Sequence, residues 1–520
     1  MFSAILSNRY ALRVSKVLKK YAAFIGPGLV VSVSYMDPGN YLTSVSSGAL
    51  YQYKLCFLIF MSNIFAVILQ SLCVKLGTIT GLDLAEMCRL HLPYQLNLTL
   101  YACAELAIIA TDLAEVVGTA IALEILFGIP LAYGVLITIL DVLIILFAYH
   151  KDGSLKQTKV FEFLVSILVF CTCICFVLEL FKCDFPPGSF LAIIEGFLPI
   201  NKEIFKELNA LFLSCGIVGS TVMPHSLFLG SALVQPRLKD YDVKIGNIQE
   251  PVEDEATEEE VDQDNNLTAT LHKFQSISDG SNLRTKYRPS YQAIKYCLNY
   301  SYIELILSLF IVAVFVNSAI LIVAGSTLFG KPDAEEADLL SIYEMLSYYI
   351  SPAAGLVFAL SMLFSGQSAG IVCTMAGQII SEGFINWTIK PWIRRIVTRT
   401  LAIIPVLIVI MVLGREGVSK IMNSSQVVLS FILPIVSAPL IWFTSRKEYM
   451  TVYDTTTNTN EESSLLLHSE LSEDGTQEVR VRKFTFENGV FLRNASIATW
   501  LLITFLNFYL IYAFANGADI

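Results

Sequence analysis

Apolar runs of about 20 residues, each long enough to cross the hydrocarbon core of a bilayer, recur along this chain at eleven places. They fall at 22–47, 52–76, 99–127, 131–149, 160–181, 208–235, 293–326, 344–382, 393–413, 421–444 and 491–515. Each predicts a transmembrane helix, and the longest predict an additional re-entrant or interfacial piece. Two of the runs are interrupted. The first breaks at Met36-Asp37-Pro38-Gly39-Asn40, and the sixth breaks at Thr221-Val222-Met223-Pro224-His225. Proline has no N–H to donate and glycine loosens a helix, so each break frees backbone carbonyls at membrane depth. Unwound backbone is tolerated there only where protein buries it or where it lines a cavity. Interrupted helices at corresponding positions in two halves of a chain point to a transporter's substrate site.

The spacing of the breaks sets the organisation. Spans one to five (residues 22–182) and six to ten (206–445) form two units that each open with a broken helix. An odd number of spans inverts the second unit relative to the first. The predicted class is therefore an all-α polytopic membrane protein with a five-plus-five inverted repeat, discontinuous first and sixth helices, and an eleventh helix (491–515) outside the repeat. The remaining segments are predicted as a cytosolic N-terminal stretch (1–21), a disordered acidic loop at about 240–290, and a second disordered loop at 446–490.

Composition agrees: 55% hydrophobic and 15% charged residues, with mean hydropathy +0.62, exclude an ordinary soluble globule. No cleavable leader is legible, because the basic residues Arg9, Arg13, Lys16, Lys19 and Lys20 run straight into a full-length span. The positive-inside rule then places the N-terminus in the cytosol, together with 151–159, 237–288, Arg394, Arg395 and 446–483. The formal charge of −10 owes much to residues 250–264, which carry nine carboxylates and read as a solvated linker. Nothing in this balance suggests nucleic acid as a partner. Eleven cysteines lack metal-ligand spacing and fall mostly in spans, so no disulfide framework is expected. Three of the sequons, at Asn97, Asn266 and Asn386, fall on the cytosolic side and are expected to stay unmodified.

The polar residues within the spans carry the chemistry. A charged side chain near the bilayer centre costs about 2.5–3.5 kcal/mol on insertion scales, which makes Asp37 the strongest metal-ligand candidate. The alternative is a helix cap before Pro38. Asn40 can turn its side-chain oxygen to the same point. Met223 offers a soft thioether, which favours Fe²⁺, Mn²⁺, Co²⁺ or Cd²⁺ over Ca²⁺ and Mg²⁺. The freed carbonyl of Ser220 is a further ligand. His225 is the one histidine of five within a span, and it suits a proton relay or a structural hydrogen bond equally. Glu105, Asp112 and Glu115 form one stripe along span three, as a proton wire requires. Arg237 is a candidate partner for one of these acids, or an ordinary positive-inside arginine. Asp141 and Glu304 are intramembrane acids without a motif, and Gln426 is placed at the outer entrance.

These residues resemble the signatures of the Nramp divalent metal transporters. The matching motifs are Asp37-Pro38-Gly39-Asn40, Ala110-Thr111-Asp112-Leu113-Ala114-Glu115, Met223-Pro224-His225, and Ser365-Gly366-Gln367-Ser368-Ala369-Gly370. The last continues through Ala376-Gly377-Gln378 to Glu382-Gly383-Phe384. Within that family the chain is most similar to the fungal vacuolar iron transporter branch. The resemblance implies a LeuT-like fold and proton-coupled uptake of Fe²⁺ and Mn²⁺ by alternating access, with no resident cofactor. It implies metal ligation at Asp37, Asn40, Met223 and the Ser220 backbone carbonyl, with a state-dependent contact from Gln426. It implies a proton route through Asp112, Glu115 and Arg237. Where many relatives carry a second histidine, five residues after His225, this chain has Gly230.

Glu461-Glu462-Ser463-Ser464-Leu465-Leu466 fits the acidic-dileucine sorting pattern, with Glu461, Leu465 and Leu466 as its elements and clathrin adaptors as the partner class. A vacuolar or endosomal membrane is therefore expected, with transport from an acidic lumen to the cytosol and the plasma membrane as runner-up. The competing reading is a metal-occupancy sensor with this fold and little flux. An intramembrane enzyme is disfavoured because no second catalytic histidine lies within a span.

Overall fold

The computed structural model describes residues 27–148, 155–183, 185–199, 207–247, 287–331, 339–386, 391–454 and 482–516. Each predicted span has a helical counterpart there. Span one is α1 (Pro27–Val33) and α2 (Pro38–Tyr51); span two is α3 (Cys56–Thr80). The short α4 (Leu84–His91) leads into span three, α5 (Tyr94–Phe127). Spans four and five are α6 (Leu131–Ala148) and α7 (Leu155–Lys182), followed by the short α8 (Ser189–Gly196). Span six is α9 (Leu208–Thr221) and α10 (Pro224–Ala232), continued by α11 (Gln235–Lys244). Span seven joins α12 (Tyr291–Ser308) to α13 (Phe315–Thr327) through a π-helical stretch, Leu309–Val314. α14 (Leu339–Tyr349) precedes span eight, α15 (Pro352–Ile385). Spans nine and ten share α16 (Pro391–Ser445), and α17 (Val490–Ala515) is span eleven.

The boundaries follow local chemistry. α4 begins with a capping box, in which Asp83 accepts from Glu86 N while Glu86 accepts from Asp83 N. The apolar stretch 344–382 is not one helix: Ser351 caps a new one, and Pro352 supplies its first turn. The turn between spans nine and ten is a kink at Gly414, whose φ of 66° and ψ of −152° suit only glycine.

Span three sits at the centre, packed against spans eight and nine-ten. α17 is peripheral, and its attachment to span ten has a backbone cause. Pro434 offers no N–H to the Ser430 carbonyl one turn earlier. Asn507 Nδ2 from α17 donates to that carbonyl at 2.6 Å, Ser430 Oγ donates to Asn507 Oδ1 at 2.7 Å, and Trp500 Nε1 donates to the Pro434 carbonyl at 2.8 Å.

Two loop expectations are corrected. The segment 446–490 is not wholly irregular, because β1 (Thr451–Asp454) pairs antiparallel with β2 (Arg482–Thr485), Thr451 opposite Thr485. The Lys75 ammonium donates to the Glu487 carbonyl and Asn488 Oδ1 at 3.0 Å each, tying the base of this loop to span two. The segment 240–290 likewise has ordered ends. Asp242 in α11 accepts from Tyr287 Oη and Ser290 Oγ at 2.5 Å and from Ser290 N at 2.9 Å. Burial, followed by the hydrogen bond it donates to that carboxylate and the carboxylate's charge, pushes the Tyr287 phenol above its ordinary range. The acidic run 250–264, the segment 1–21, Asn266 and the dileucine residues Glu461, Leu465 and Leu466 lie outside the described residues. The cysteines form no disulfide with one another among the described residues. Asn97 is buried and donates to the Phe384 carbonyl at 3.0 Å, a place no glycan reaches.

Candidate functional site

The two interruptions fall where the sequence places them, and they touch. α1 stops at Val33 and α2 starts at Pro38, with Asp37 as its N-cap. Asp37 Oδ2 accepts from Gly39 N at 3.2 Å, and Oδ1 accepts from Asn40 N at 3.0 Å and Asn40 Nδ2 at 2.6 Å. The capping geometry, weighed above as an alternative to ligation, is thus present. It holds the carboxylate at the helix N-terminus, where the macrodipole favours negative charge. The freed carbonyls of the break are claimed by neighbouring spans: Asn317 Nδ2 donates to Tyr35 O at 2.9 Å, and Ser365 Oγ donates to Met36 O.

On the opposite side α9 ends at Thr221 and α10 begins at Pro224, with Met223 at the N-cap position. Pro224 cannot donate to the Ser220 carbonyl four residues back. Asn40 Nδ2 donates to it instead, at 2.8 Å. One amide nitrogen therefore bridges the carboxylate of the first break and the orphan carbonyl of the second. Asp37, Asn40, Ser220 and Met223 are at most 1% exposed, so the site is sealed from both sides.

Close packing surrounds it. A Cβ built on Gly39 would stand 2.3 Å from Gln426 Nε2 and 2.9 Å from Asp37 Oδ2. Gln426 is 0% exposed. It lies against the α2 N-terminus rather than at an outer entrance, which corrects the sequence expectation, and its Oε1 has no hydrogen-bond partner. Gly230 also has a local explanation. A Cβ there would meet Gln70 Oε1 at 2.1 Å, so the Gln70 amide fills the space that a larger side chain at 230 needs. Gln70 Nε2 donates to Tyr35 Oη at 3.1 Å, to Ser226 O at 2.9 Å and to Ser226 Oγ at 2.9 Å, joining the two breaks from span two.

The acidic stripe of span three is matched by arginines. Glu105 pairs with Arg394 at 2.5 Å; Asp112 pairs with Arg395 at 2.8 Å and Arg399 at 2.5 Å; Glu115 lies 3.5 Å from each of the last two. Arg395 is among the largest fully buried side chains and Arg394 is paired with Glu105, so both arginines are engaged within the helix bundle. Asp112, Glu115 and Cys373 bring ligand-type atoms within 4.8 Å of one another. Two guanidinium groups already hold that place, which argues against a metal there. Asp112 Oδ2, Glu115 Oε1, and Arg395 Nε and Nη1 are buried without partners, leaving polar positions along the network. His225, 1% exposed, places Nδ1 3.5 Å from Thr111 Oγ1, so it faces span three.

Arg237 joins none of the span-three acids; this is a second correction. It pairs with Glu304 at 2.5 Å, and Glu304 Oε1 accepts from Gly28 N at 2.8 Å. The arginine therefore clamps the start of α1 through span seven. Asp141 lies in the second half of α6, residues 140–148, whose side chains fall outside the described residues. Sequence reasoning missed Arg395, Arg399, Gln70 and Asn317. For the arginines the signal was visible: three lie within six residues of an otherwise apolar span. For Gln70 and Asn317 no local pattern distinguishes them from other buried amides.

The sequence pattern of the family described as Nramp, Natural resistance-associated macrophage protein-like, matches residues 28–466. The chain is 56% identical over 507 residues to the iron transporter SMF3 of Saccharomyces cerevisiae, covering 97% of this chain and 98% of that protein. It is 46% identical over 520 residues to the manganese transporter SMF1 of the same yeast, covering 97% and 87%. Its structure resembles that of a manganese transporter from Eremococcus coleocola with TM-score 0.70 at 28% identity, covering 97% of this chain and 90% of that one.

Proposed function

Because the chain belongs to the fungal branch of the Nramp divalent metal transporters, with their LeuT-like fold, we propose that it is a proton-coupled symporter. It carries Fe²⁺ and Mn²⁺, with Co²⁺ and Cd²⁺ as further substrates, from an acidic lumen into the cytosol. The observation that carries this reading is the Asn40 amide nitrogen bridging Asp37 Oδ1 at 2.6 Å and the Ser220 carbonyl at 2.8 Å. Two oxygens from separate helices, one anionic, converge on a single donor deep within the protein. The Asn40 amide hydrogens satisfy both oxygens.

A cation replaces those hydrogens when the Asn40 side chain turns to present Oδ1. Asp37, Asn40 and Ser220 then supply hard oxygens, and Met223 supplies the thioether that disfavours Ca²⁺ and Mg²⁺. Ligation requires Asp37 ionised, so metal entry and proton release are coupled at one carboxylate. His225 and Thr111 offer a way from the break towards Asp112 and Glu115, and Glu105 continues the stripe. In this sealed conformation Gln426 covers one side, while the contacts of Glu304 with Gly28 and Arg237 hold the other. Alternating access opens one closure at a time. The acidic-dileucine motif Glu461, Leu465 and Leu466 supports a vacuolar or endosomal membrane and adaptor recognition.

The test is Mn²⁺ and Fe²⁺ entry into proteoliposomes under an imposed pH gradient, beside Asp37→Ala. Entry that rises with the gradient and is lost in the variant supports the reading. Tight binding without flux, in folded wild-type protein, would give the chain to the sensor class instead.

A further inference from the structure

A cavity of about 730 Å³ lies between spans three, ten and eleven, separate from the candidate metal site. Its walls are apolar and include Leu96, Ile435, Trp442, Trp500 and Phe508. The groove is built rather than incidental. Pro434 and Pro439 line it from span ten, and the Asn507–Ser430 and Trp500–Pro434 hydrogen bonds fix α17 as its far wall. Leu96, Trp442, Trp500 and Phe508 are all exposed or half-buried, as side chains facing hydrocarbon would be.

One end of the groove carries positive charge. The Arg446 guanidinium stacks 4.0 Å from the centre of the Trp442 ring, which lines the cavity. Arg493 precedes Trp500 by seven residues on α17, two helical turns along the same face. Both arginines are exposed at that end. Lys447 is engaged by Glu487 at 3.4 Å, and among the described residues the two guanidinium groups are the cationic elements beside the tryptophans.

An apolar trough ending in two arginines and two indoles matches an amphiphile with an anionic head. The volume is typical of a small-molecule site, and it is too small to admit a helix, whose diameter with side chains is about 10 Å. We propose that this groove binds an anionic phospholipid, with an acyl chain between spans three, ten and eleven and the phosphate held by Arg446 and Arg493. The site is independent of the metal site and stands whether or not proton coupling holds.

Trp442 and Trp500 supply the readout. In full-length protein carrying Trp387→Phe and Trp392→Phe, these are the remaining two of four tryptophans. The protein is reconstituted with brominated phosphatidylserine or brominated phosphatidylcholine at equal low mole fraction. The expected result is several-fold tighter association of the anionic lipid, seen as stronger tryptophan quenching, with the excess abolished by Arg446→Ala together with Arg493→Ala. Leu96→Trp, which fills the trough, should weaken that binding with the arginines intact, as followed by native mass spectrometry. Mn²⁺ binding checks that each variant is folded. Equal quenching by the two lipids, or a preference that survives loss of both arginines, overturns the proposal. Absence of quenching by either lipid in a protein that runs as a dimer would assign the groove to a second copy, and also overturns it.

Discussion

Arg399→Met tests whether span three carries bare acids or a neutralised network. Asp112 and Glu115 face Arg395 and Arg399, all with side chains at most 3% exposed, so with both acids ionised two negative and two positive groups balance. Arg399 makes the shortest contact, 2.5 Å to Asp112. Removing it leaves one uncompensated buried charge, a defect that costs about 3–5 kcal/mol when a buried pair loses one partner. Glu115→Gln alone creates the opposite imbalance. The two changes together restore neutrality and keep the 2.8 Å Asp112–Arg395 pair. The double variant is therefore expected to recover most of the loss, with a coupling of several kcal/mol, whereas independent sites add to within about 0.5 kcal/mol. Thermal unfolding in micelles, read by a thiol-reactive dye on the buried cysteines, measures all four proteins. Additive losses, or an Arg399→Met protein as stable as wild type, would refute the charge-balance argument.

Three further outcomes are expected. Met223→Ala should erode exclusion of Ca²⁺ and Mg²⁺ while retaining most Mn²⁺ flux, measured by competition in liposomes; unchanged Ca²⁺ exclusion removes the thioether from the account of selectivity. Gly118→Ala places a Cβ 2.2 Å from Pro38 Cβ, where carbon contacts need about 3.5 Å, so the first break must shift by roughly 1 Å. Overpacking costs about 1–3 kcal/mol, and Mn²⁺ affinity by calorimetry should fall while unfolding occurs at lower temperature; a variant unaltered in both would mean that span three does not position the break. Glu304→Gln loosens the clamp on Gly28 and Arg237, so a cysteine introduced as Ser32→Cys should react faster with a soluble thiol reagent than in the parent background. Equal labelling rates would show that this pair does not close the protein.

What the sequence made legible and what it did not divide along chain separation. The breaks at Pro38 and Pro224 are local facts, since a missing N–H frees the Ser220 carbonyl wherever the helix goes. The stripe Glu105, Asp112, Glu115 follows from helical period alone. Its partners do not: Arg399 lies 287 residues from Asp112, and in sequence its neighbours Arg394 and Arg395 read equally well as loop charges. The acid that Arg237 pairs with is hidden for the same reason, because Glu304 meets it only after spans six and seven pack. Gln426 looked like an entrance residue because hydropathy reports depth, not which neighbour covers a site. The loop bases at Asp242 and Lys75 were hidden because a few hydrogen bonds order the ends of segments whose composition resists folding.

Anomalous diffraction from crystals soaked in Mn²⁺ tests the central claim most directly. The account expects one dominant peak between the two breaks, coordinated by Asp37, Met223, the Ser220 carbonyl and Asn40 Oδ1, with the amide turned away from its hydrogen bonds to Asp37 and Ser220. A peak at Asp112, Glu115 and Cys373, or Asn40 Nδ2 still bonded to the Ser220 carbonyl in a metal-loaded protein, would contradict it.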